Sequence, residues 1–497
     1  MKMLISLVLI ISISVGCKRI KHNQADSQVL KDKKNVVFIL VDDMGWTDLA
    51  SYGSTFYESP NIDRLAGQGI VFTSAYTPNP VCSPTRAAIL TGRYPSRIGI
   101  TDWIPGRDPK DRPLLGPEDL YELPLEEVTF AETLKEEGYK TFFAGKWHLG
   151  DDNFLPEDQG FDINKGGHHK GSPPGGYYSP YNNPKLTDGL EGEYLTDRLT
   201  NESISFLEKN KDDPFLLYLS FYTVHTPIEA NKKHIAKFKA KQKKLKDSIA
   251  ILEKEGSGQT LVNQYNPEYA SMIYSLDENV GRLMKTLETL NLMEETLIIF
   301  TSDNGGLSTL DNNINFSSEN FGLSTSKNNV IPPTSVKPLR AGKGWVYEGG
   351  IRVPLIIKKP GSQEHKTINA PVMSMDLFPT ILDILDLPQK PELHKDGLSM
   401  NPLMNNEETE LHKVLFWDYP HYHGSGWVPG QAVRKDDWKL VYFFENDVYE
   451  LYNLKLDISE KNNLANNYPE KLEELKAELR ILNKTLNTKK PKTNPLY

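Results

Sequence analysis

The sequence predicts an α/β protein: a large domain with a mostly parallel central sheet flanked by helices, followed by a smaller C-terminal α+β domain with an antiparallel sheet. Several apolar runs rich in β-branched and aromatic residues are typical of strands buried on both faces. Segments with helical periodicity separate these runs, and this alternation is typical of parallel sheets. After about residue 388 the pattern changes to short strands with close spacing. The chain of 497 residues is long enough for both units.

The elements follow from these patterns in order. The strands predicted for the first domain cover residues 35–41, 140–144, 215–221, 296–301 and 353–358. Its predicted helices cover residues 129–137, 193–209, 269–289 and 374–385. Residues 231–255 are rich in lysine, and we interpret them as a solvated insertion helix in preference to a polyanion site. In the second domain we predict strands at 415–419, 431–434 and 439–444 and a helix at 469–486. The predicted domains are therefore 34–388 and 389–497.

The N-terminus has the pattern of an export signal. Lys2 precedes an apolar stretch, residues 3–15, that is short for a membrane span. The stretch ends in Ser14-Val15-Gly16-Cys17, which is similar to the lipobox of bacterial lipoproteins. We therefore expect a lipoprotein-type signal peptide at 1–17, lipidation of Cys17 and a polar tether at 18–33. The expected location is the periplasm or cell surface, with a lipid anchor in the outer membrane.

Composition limits the function. A formal net charge of −9 argues against a nucleic-acid-binding protein. An anionic substrate would have to be bound by a local basic pocket, since the whole chain repels it. The two cysteines are Cys17 and Cys82. If one carries lipid and the other is modified, no structural disulfide forms, and a chain of this size can rely on its core.

The most informative stretch is Cys82-Ser83-Pro84-Thr85-Arg86, followed by Thr91-Gly92. We predict a helix here, with Ser83 as its cap, Pro84 in its first turn and Gly92 at its end. Residue 82 would then lie at a helix N-terminus, where the backbone favours an anion. Arg86, one turn later, adds a fixed cation.

Polar residues follow four of the predicted strands. Ligands of open α/β sheets bind beyond the carboxyl ends of the strands, so these residues form one candidate site. Carboxylate and amide oxygens suit a hard cation such as Ca²⁺ or Mg²⁺, and the histidines are then available for proton transfer. The residues are Asp42, Asp43, Lys146, His148, His225, Asp303 and Asn304.

The pattern C-x-P-x-R-x4-T-G resembles the signature of the type I sulfatases, formylglycine-dependent enzymes of the alkaline phosphatase superfamily. The resemblance covers residues 34–388 and implies that a maturation enzyme oxidises Cys82 to formylglycine (3-oxoalanine), whose hydrate is the nucleophile. It also implies one calcium ion per chain, with ligands Asp42, Asp43, Cys82, Asp303 and Asn304.

The resemblance further implies a catalytic set around residue 82. Arg86, Lys146 and Lys343, the last of which lies in Arg340-Ala341-Gly342-Lys343-Gly344, would neutralise the sulfate. His225 would protonate the leaving group, and His148 would take the proton from the second hydroxyl at position 82. The two histidines could also exchange these roles.

A long irregular segment, rich in glycine, proline and tyrosine, suggests the substrate-binding residues. The residues that could bind hydroxyl or carboxylate groups of a sugar are His168, His169, Lys170 and Tyr177, and Trp103 and Arg107 are weaker candidates. Packing within the loop is an equal alternative. A lipoprotein of this family suits a sulfated polysaccharide or its oligosaccharides. We favour an algal polymer such as ulvan or carrageenan, with a glycosaminoglycan as the alternative.

Two other functions remain open at this point. A phosphatase or phosphonate hydrolase of the same superfamily would require additional histidine and aspartate ligands for a second metal. A non-catalytic glycan-binding lipoprotein would have gaps in the catalytic set, whereas each expected position is filled.

Overall fold

The computed structural model describes residues 33–311, 321–326 and 329–497. The signal peptide, Cys17 and the tether up to residue 32 lie outside the described residues. Among the helices of the described part, none has both the length and the apolar composition needed to cross a membrane.

The strands that the structure describes include all five predicted for the first domain and all three predicted for the second. They are β1 (Asn35–Val41), β2 (Ile70–Tyr76), β3 (Leu114–Leu115), β4 (Lys140–Gly145), β5 (Ile163–Lys165), β6 (Phe215–Ser220), β7 (Leu252–Glu255), β8 (Gly258–Leu261), β9 (Thr296–Ser302), β10 (Thr309–Leu310), β11 (Thr325–Ser326), β12 (Asn329–Val330), β13 (Arg352–Lys358), β14 (Lys366–Ile368), β15 (Val372–Met373), β16 (Leu415–Tyr419), β17 (Gly430–Lys435), β18 (Trp438–Phe443), β19 (Val448–Asn453) and β20 (Lys492–Thr493).

Apart from the segment 231–255, the helices confirm the predicted ones within two or three residues at each end. They are α1 (Pro60–Gly67), α2 (Cys82–Thr91), α3 (Pro95–Ile98), α4 (Phe130–Glu136), α5 (Leu195–Asn210), α6 (Ile235–Gln242), α7 (Pro267–Thr289), α8 (Glu348–Ile351), α9 (Leu377–Ile384), α10 (Asn401–Met404) and α11 (Pro469–Leu486). Short 3₁₀ turns occur at Ala50–Tyr52, Pro156–Gln159, Met293–Glu295 and Ser374–Asp376.

The central sheet has the strand order β14-β2-β13-β9-β1-β6-β4-β5, with β15 beside β2. Strand β1 lies at its centre and pairs in parallel with β6 and β9. The sheet is mostly parallel, as predicted, but β13 runs antiparallel to β2 and β9. The sequence analysis missed β2, because Thr73 and Ser74 interrupt its apolar run.

Helices cover both faces of this sheet. Side chains of β1 alternate between two buried clusters, with Val37 and Ile39 in one and Val36 and Phe38 in the other. Helices α5 and α7 pack on the first face, and α4 and α9 pack on the second. Complete burial of each such side chain contributes roughly 1.5–3 kcal/mol, which fixes the strands whose ends carry the polar residues.

The C-terminal sheet is antiparallel, in the order β16-β17-β18-β19, and α11 packs on it through Leu475 and Leu479. The same apolar cluster contains Val81 and Trp345, which lie outside the C-terminal sheet. The contact also includes a fully buried ion cluster, in which Lys439 Nζ lies 3.0 Å from Glu348 Oε1 and 2.9 Å from Glu460 Oε1. The second domain is therefore packed closely against the segment that precedes Cys82.

Two local predictions were wrong. Ser83 does not cap α2: the capping position is Val81, and the Ser83 hydroxyl accepts a hydrogen bond from the Ile104 N–H at 3.1 Å. Pro84 in the first turn and Gly92 at the end, with φ +67°, are as predicted. Residues 231–255 form only the short helix α6, and their last four residues form β7 of a hairpin with β8.

Candidate active site

Two acidic turns meet at the carboxyl ends of β1 and β9. The strands are parallel and in register, with Val41 opposite Ser302, so the residues that follow them are neighbours. The backbone N–H of Asp43 donates to Asp303 Oδ1 at 3.1 Å, and Asn304 Nδ2 donates to Asp43 Oδ1 at 2.8 Å. All four of these side chains, including Asp42, are buried. The structure therefore brings together the oxygen ligands predicted from the sequence.

Asp48 supports the first turn. Its Oδ2 accepts hydrogen bonds from the Gly45 N–H at 2.8 Å and from the Tyr269 hydroxyl at 2.6 Å. Asp43 itself has φ +58°, a left-handed conformation that needs such local support in a residue other than glycine. Sequence analysis missed Asp48, since a single aspartate in a turn gives no signal of its own.

Each carboxylate of the site is paired with a buried cation. Lys146 Nζ donates to both oxygens of Asp42, at 2.9 and 2.8 Å. Arg86 Nε donates to Asp303 Oδ2 at 2.8 Å. Lys343 Nζ lies 2.7 Å from Asp43 Oδ1. Three positive and three negative side chains thus balance each other in a region that water barely reaches.

The remaining contacts of Arg86 fix its position. Its second guanidinium nitrogen, Nη1, donates to the Lys146 carbonyl at 2.8 Å and to Ser220 Oγ at 2.7 Å. These acceptors lie at the ends of β4 and β6, which pair in parallel. The helix that begins at Cys82 and the central sheet are therefore connected through one side chain.

Cys82 lies beside this group and is 2% exposed. The Lys343 ammonium is 3.4 Å from its Sγ. Burial raises the pKa of the Cys82 thiol, although Lys146 and Lys343 act in the opposite direction. The environment thus favours the neutral thiol, which is a poor nucleophile, and gives no sign of a cysteine used as a thiolate.

Backbone carbonyls orient the two predicted catalytic histidines. The His148 Nε2–H donates to the Ile104 carbonyl at 2.5 Å, and the His225 Nδ1–H donates to the Thr226 carbonyl at 2.7 Å. Each neutral ring therefore keeps a lone pair on its other nitrogen. Within the described residues, Nδ1 of His148 is buried without a hydrogen-bond partner.

Electrostatics keep both rings neutral. Burial and the nearby Lys146 hold the pKa of His148 well below its usual value. Burial and Lys343 lower the pKa of His225 to about 3. Proton transfer by either ring thus depends on a bound group that raises the pKa of the ring.

The donor set fits a hard cation. Burial and the charges of Asp303 and Asp43 raise the pKa of Asp42, against the opposing effect of Lys146. Crowded carboxylates of this kind gain from a divalent ion. The Oδ1 atom of Asn304 is buried without a hydrogen-bond partner among the described residues, and is free to bind one.

The geometry places one further predicted site residue beside the ligand atoms. Single ligand atoms of Asp42, Asp43, Cys82 and His225 all lie within 4.8 Å of one another. From the sequence, His225 is predicted only as a proton carrier. Its Nε2 is 3.7 Å from Asp43 Oδ2, so it borders the same space.

The segment with His168, His169 and Lys170 lies against His148. The backbone N–H of His148 donates to the His168 carbonyl at 3.2 Å. The His168 ring is buried, and its pKa is lowered to about 4 by burial and by His169. His169 Nδ1 lies 3.1 Å from Asp151 Oδ1, and Lys170 is exposed.

The further substrate candidates differ in position. Tyr177 favours the packing alternative: it is fully buried, and its hydroxyl contacts the carbonyls of Tyr222 and His225, at 2.6 and 2.8 Å. It therefore positions His225. Trp103 is 38% exposed beside Ile104, and Arg107 is exposed.

Sequence analysis missed the contribution of the second domain. The loop between β16 and β17 carries His421 and His423. Lys343 and Asp43 are near enough to His423 to influence its pKa. The only sequence signal was the spacing His-x-His, which is too short to be informative.

Comparison with known proteins gives a consistent result. Residues 34–387 match the family model described as Sulfatase. Residues 341–489 match the model described as N-sulphoglucosamine sulphohydrolase, C-terminal.

Curated relatives and solved structures agree with these matches. A sulfatase of Formosa agariphila is 31% identical over 526 residues, covering 90% of this chain and 87% of the relative. An N-acetylgalactosamine-6-O-sulfatase of Bacteroides thetaiotaomicron is 27% identical, covering 94% and 96%. The crystal structure of Ps i-CgsB in complex with k-i-k-neocarrahexaose has a TM-score of 0.70 and 29% identity, covering 90% of this chain and 92% of that one.

Proposed function

This chain belongs to the sulfatase family, and from that assignment we propose that it hydrolyses sulfate monoesters of a sulfated algal polysaccharide, such as carrageenan or ulvan, or of its oligosaccharides. It is a sulfuric ester hydrolase that acts on glycans. The observation that carries the proposal is the set of three buried cations, Arg86, Lys146 and Lys343, grouped around Cys82 and the acidic turns.

The cations prepare the site for an anionic group. A sulfate ester brings negative charge into a pocket where the cations already balance the carboxylates. A divalent cation held by Asp42, Asp43, Asp303 and Asn304, which we propose to be calcium, would offset this charge and lower the pKa of a hydroxyl beside it. Lys343, 3.4 Å from Sγ of Cys82, is placed to contact the sulfate oxygens during attack.

Residue 82 supplies the nucleophile in this proposal. Oxidation of Cys82 to formylglycine would provide a hydrated aldehyde, with one hydroxyl to attack sulfur and a second whose deprotonation allows sulfate to leave. The raised pKa of the thiol supports this interpretation, because an unmodified Cys82 is held in its less reactive form.

The two histidines divide the proton transfers. His148 keeps a buried lone pair on Nδ1 and is suited to accept the proton from the second hydroxyl. His225 borders Asp43 and Lys343, and the negative charge of a bound sulfate ester would raise its proton affinity. We therefore propose His225 as the acid for the departing sugar oxygen.

The substrate class is inferred from relatives. Ps i-CgsB was crystallised with a neocarrahexaose, and the Bacteroides relative acts on N-acetylgalactosamine 6-O-sulfate groups by its name. The identity to Ps i-CgsB supports an algal galactan, while a glycosaminoglycan remains the alternative. Export, a lipid anchor at Cys17 and a location at the outer membrane are part of the same proposal, since a polymer of this kind is met outside the cell.

The test is release of free sulfate by protein co-expressed with a formylglycine-generating enzyme. Substrates would be oligosaccharides of carrageenan, ulvan and chondroitin, with p-nitrophenyl sulfate and p-nitrophenyl phosphate as small reporters. Cys82→Ala is the matched control, and mass spectrometry would report the modification at position 82. Sulfate release from an algal oligosaccharide that the control lacks would support the proposal. Phosphate release without sulfate release would support the phosphatase alternative.

A further inference from the structure

We propose that His423, on the loop between β16 and β17, is a specificity-determining residue that donates a hydrogen bond from Nε2 to the sugar beside the scissile sulfate. The inference rests on the proposed function, since it assumes a carbohydrate leaving group. It means that a residue of the second domain helps to determine which sugar is accepted.

The packing of β16 places this loop next to the active site. Strand β16 is tied to the segment that precedes Cys82, because Trp417 Nε1 donates to the Thr77 carbonyl at 2.8 Å and Asn79 Nδ2 donates to the Asp418 carbonyl at 3.2 Å. Both donors and acceptors in these contacts are buried. The loop that begins after Tyr419 therefore starts beside the nucleophile position.

The His423 ring then packs on the backbone next to Lys343. A Cβ atom added to Gly344 would lie 2.0 Å from Nδ1 of His423, and Gly344 has φ +84°. Position 344 therefore requires glycine, because a side chain would collide with the imidazole and the backbone is left-handed. The neighbouring Lys343 reaches Asp43 and Sγ of Cys82. The imidazole is thus one residue away from a group that contacts the reacting atoms.

Local hydrogen bonds define which ring nitrogen carries the proton. The backbone N–H of Ser425 donates to Nδ1 of His423 at 3.1 Å, and the Ser425 hydroxyl is 2.8 Å away. Nδ1 is therefore an acceptor, and the neutral ring carries its proton on Nε2. Within the residues that the structure describes, Nε2 makes no hydrogen bond, and the residue is only partly buried.

Charge points in the same direction. Burial and the nearby Lys343 lower the pKa of His423 to about 3, so the ring is neutral over the working range of a secreted enzyme. A neutral N–H beside an ammonium can donate to a hydroxyl or ring oxygen without adding a further positive charge. A sugar presents such oxygens around a sulfate ester, whereas a simple aryl group presents none.

A pair of isosteric variants tests the assignment. The amide nitrogen of Gln can occupy the position of Nε2, and that of Asn can reach only the position of Nδ1. We expect His423→Asn to lower the ratio of kcat/KM for the sulfated oligosaccharide to that for p-nitrophenyl sulfate by about 10-fold or more, the usual cost of losing one buried hydrogen bond to substrate. His423→Gln should recover most of this ratio.

The matched control is Tyr422→Phe. It removes the neighbouring hydroxyl, which contacts Glu445 at 2.6 Å, and should leave the ratio at the wild-type value. A ratio in His423→Asn equal to that of the wild type would overturn the assignment of His423 alone. Absence of oligosaccharide hydrolysis by wild-type protein that hydrolyses p-nitrophenyl sulfate would overturn the substrate proposal, and the role of His423 with it.

A measurement on the wild-type protein keeps the inference testable if a variant fails to fold. Nitrogen NMR of histidine-labelled protein distinguishes the two tautomers. We expect a protonated Nε2 in His423 and a change in its signal when a sulfated oligosaccharide binds. A protonated Nδ1 would contradict the proposed geometry.

Discussion

The ammonium of Lys343 lies between Asp43 and Cys82, 2.7 Å from Asp43 Oδ1 and 3.4 Å from Sγ. One cation thus serves the acidic turn and the nucleophile position together. Burial opposes its charge, but Asp43 and the other nearby carboxylates raise the pKa of Lys343, so it stays protonated. Because of this position, we expect the loss of Lys343 to reduce turnover more directly than the loss of the other cations.

Replacing Lys343 by Met should therefore reduce kcat/KM for sulfate esters by about 100-fold or more, as is typical when one preorganised donor is removed from a developing anion. Steady-state sulfate release measures the effect. Lys337→Met is the matched control, because Lys337 belongs to the same segment but pairs with the exposed Glu253 at 3.3 Å. Equal rates in both variants would contradict the role of Lys343.

Asp303→Ala should abolish binding of the cation that we propose. The change removes a carboxylate that contacts Asp43 and leaves Arg86 with a buried charge and one partner fewer. We expect calcium content, measured by elemental analysis of purified protein, to fall from one ion per chain to close to none. Chelation of wild-type protein should abolish sulfate release, and added Ca²⁺ should restore it.

The control for this experiment is Asp212→Asn, an exposed carboxylate that precedes β6, at the edge of the sheet opposite the site. Its calcium content should match that of the wild type. An Asp303→Ala protein that keeps a full equivalent of calcium would show that Asp303 is no ligand.

The effect of losing His225 on turnover should depend on the leaving group of the substrate. A general acid contributes roughly 10²- to 10⁴-fold to rate when the departing oxygen is a poor leaving group. We therefore expect His225→Ala to reduce turnover of a sugar sulfate much more than that of p-nitrophenyl sulfate, whose phenolate leaves without help. A comparison of kcat for the two substrates measures this. The same reduction for both substrates would argue against an acid role.

The buried ion cluster between the domains predicts a stability effect. Lys439→Met leaves Glu348 and Glu460 facing each other without their shared cation, and breaking such a pair costs about 3–5 kcal/mol. The midpoint of thermal unfolding should fall accordingly. Lys435→Met is the matched control, since Lys435 pairs with Glu474 and Glu478 near the surface and should shift stability by roughly 0.5 kcal/mol or less.

This cluster also sets a pH dependence. Burial raises the pKa of Glu460 to about 7, above the ordinary glutamate value of 4.5. The folded state thus keeps a proton that the unfolded chain loses, so the contribution of Glu460 to stability is complete below about pH 4.5 and is lost as the pH rises through 7. The deficit of Lys439→Met should accordingly be larger at pH 8 than at pH 5. A deficit that is independent of pH would contradict the raised pKa.

The grouping of the candidate site residues could be predicted from the sequence because most of them follow strands. Asp42, Asp43, Asp303 and the Lys146–His148 pair are placed by parallel strands whose ends meet at one edge, and apolar runs reveal such strands. The same reasoning could not give the direction of β13, since an apolar strand has the same composition in either orientation.

Other features depended on contacts between distant segments. Asp48 supports the acidic turn through Tyr269, which lies 221 residues away, and His423 reaches the site through packing of a second domain. Ser83 had the residue type of a helix cap but instead bonds a loop residue, Ile104. Local sequence carries no information about such partners.

The burial of Cys82 has a consequence for the order of events during biosynthesis. The whole of α2, from Cys82 to Thr91, is buried, and Arg86 anchors it to the sheet. An oxidising enzyme that had to bind the Cys-x-Pro-x-Arg segment could not reach it in the folded protein. The oxidation of Cys82 that we propose would therefore have to precede folding, and a molecule that folded first would remain inactive. On this view, the fraction of active enzyme in a preparation reports the timing of maturation relative to chain collapse, independently of how stable the final protein is.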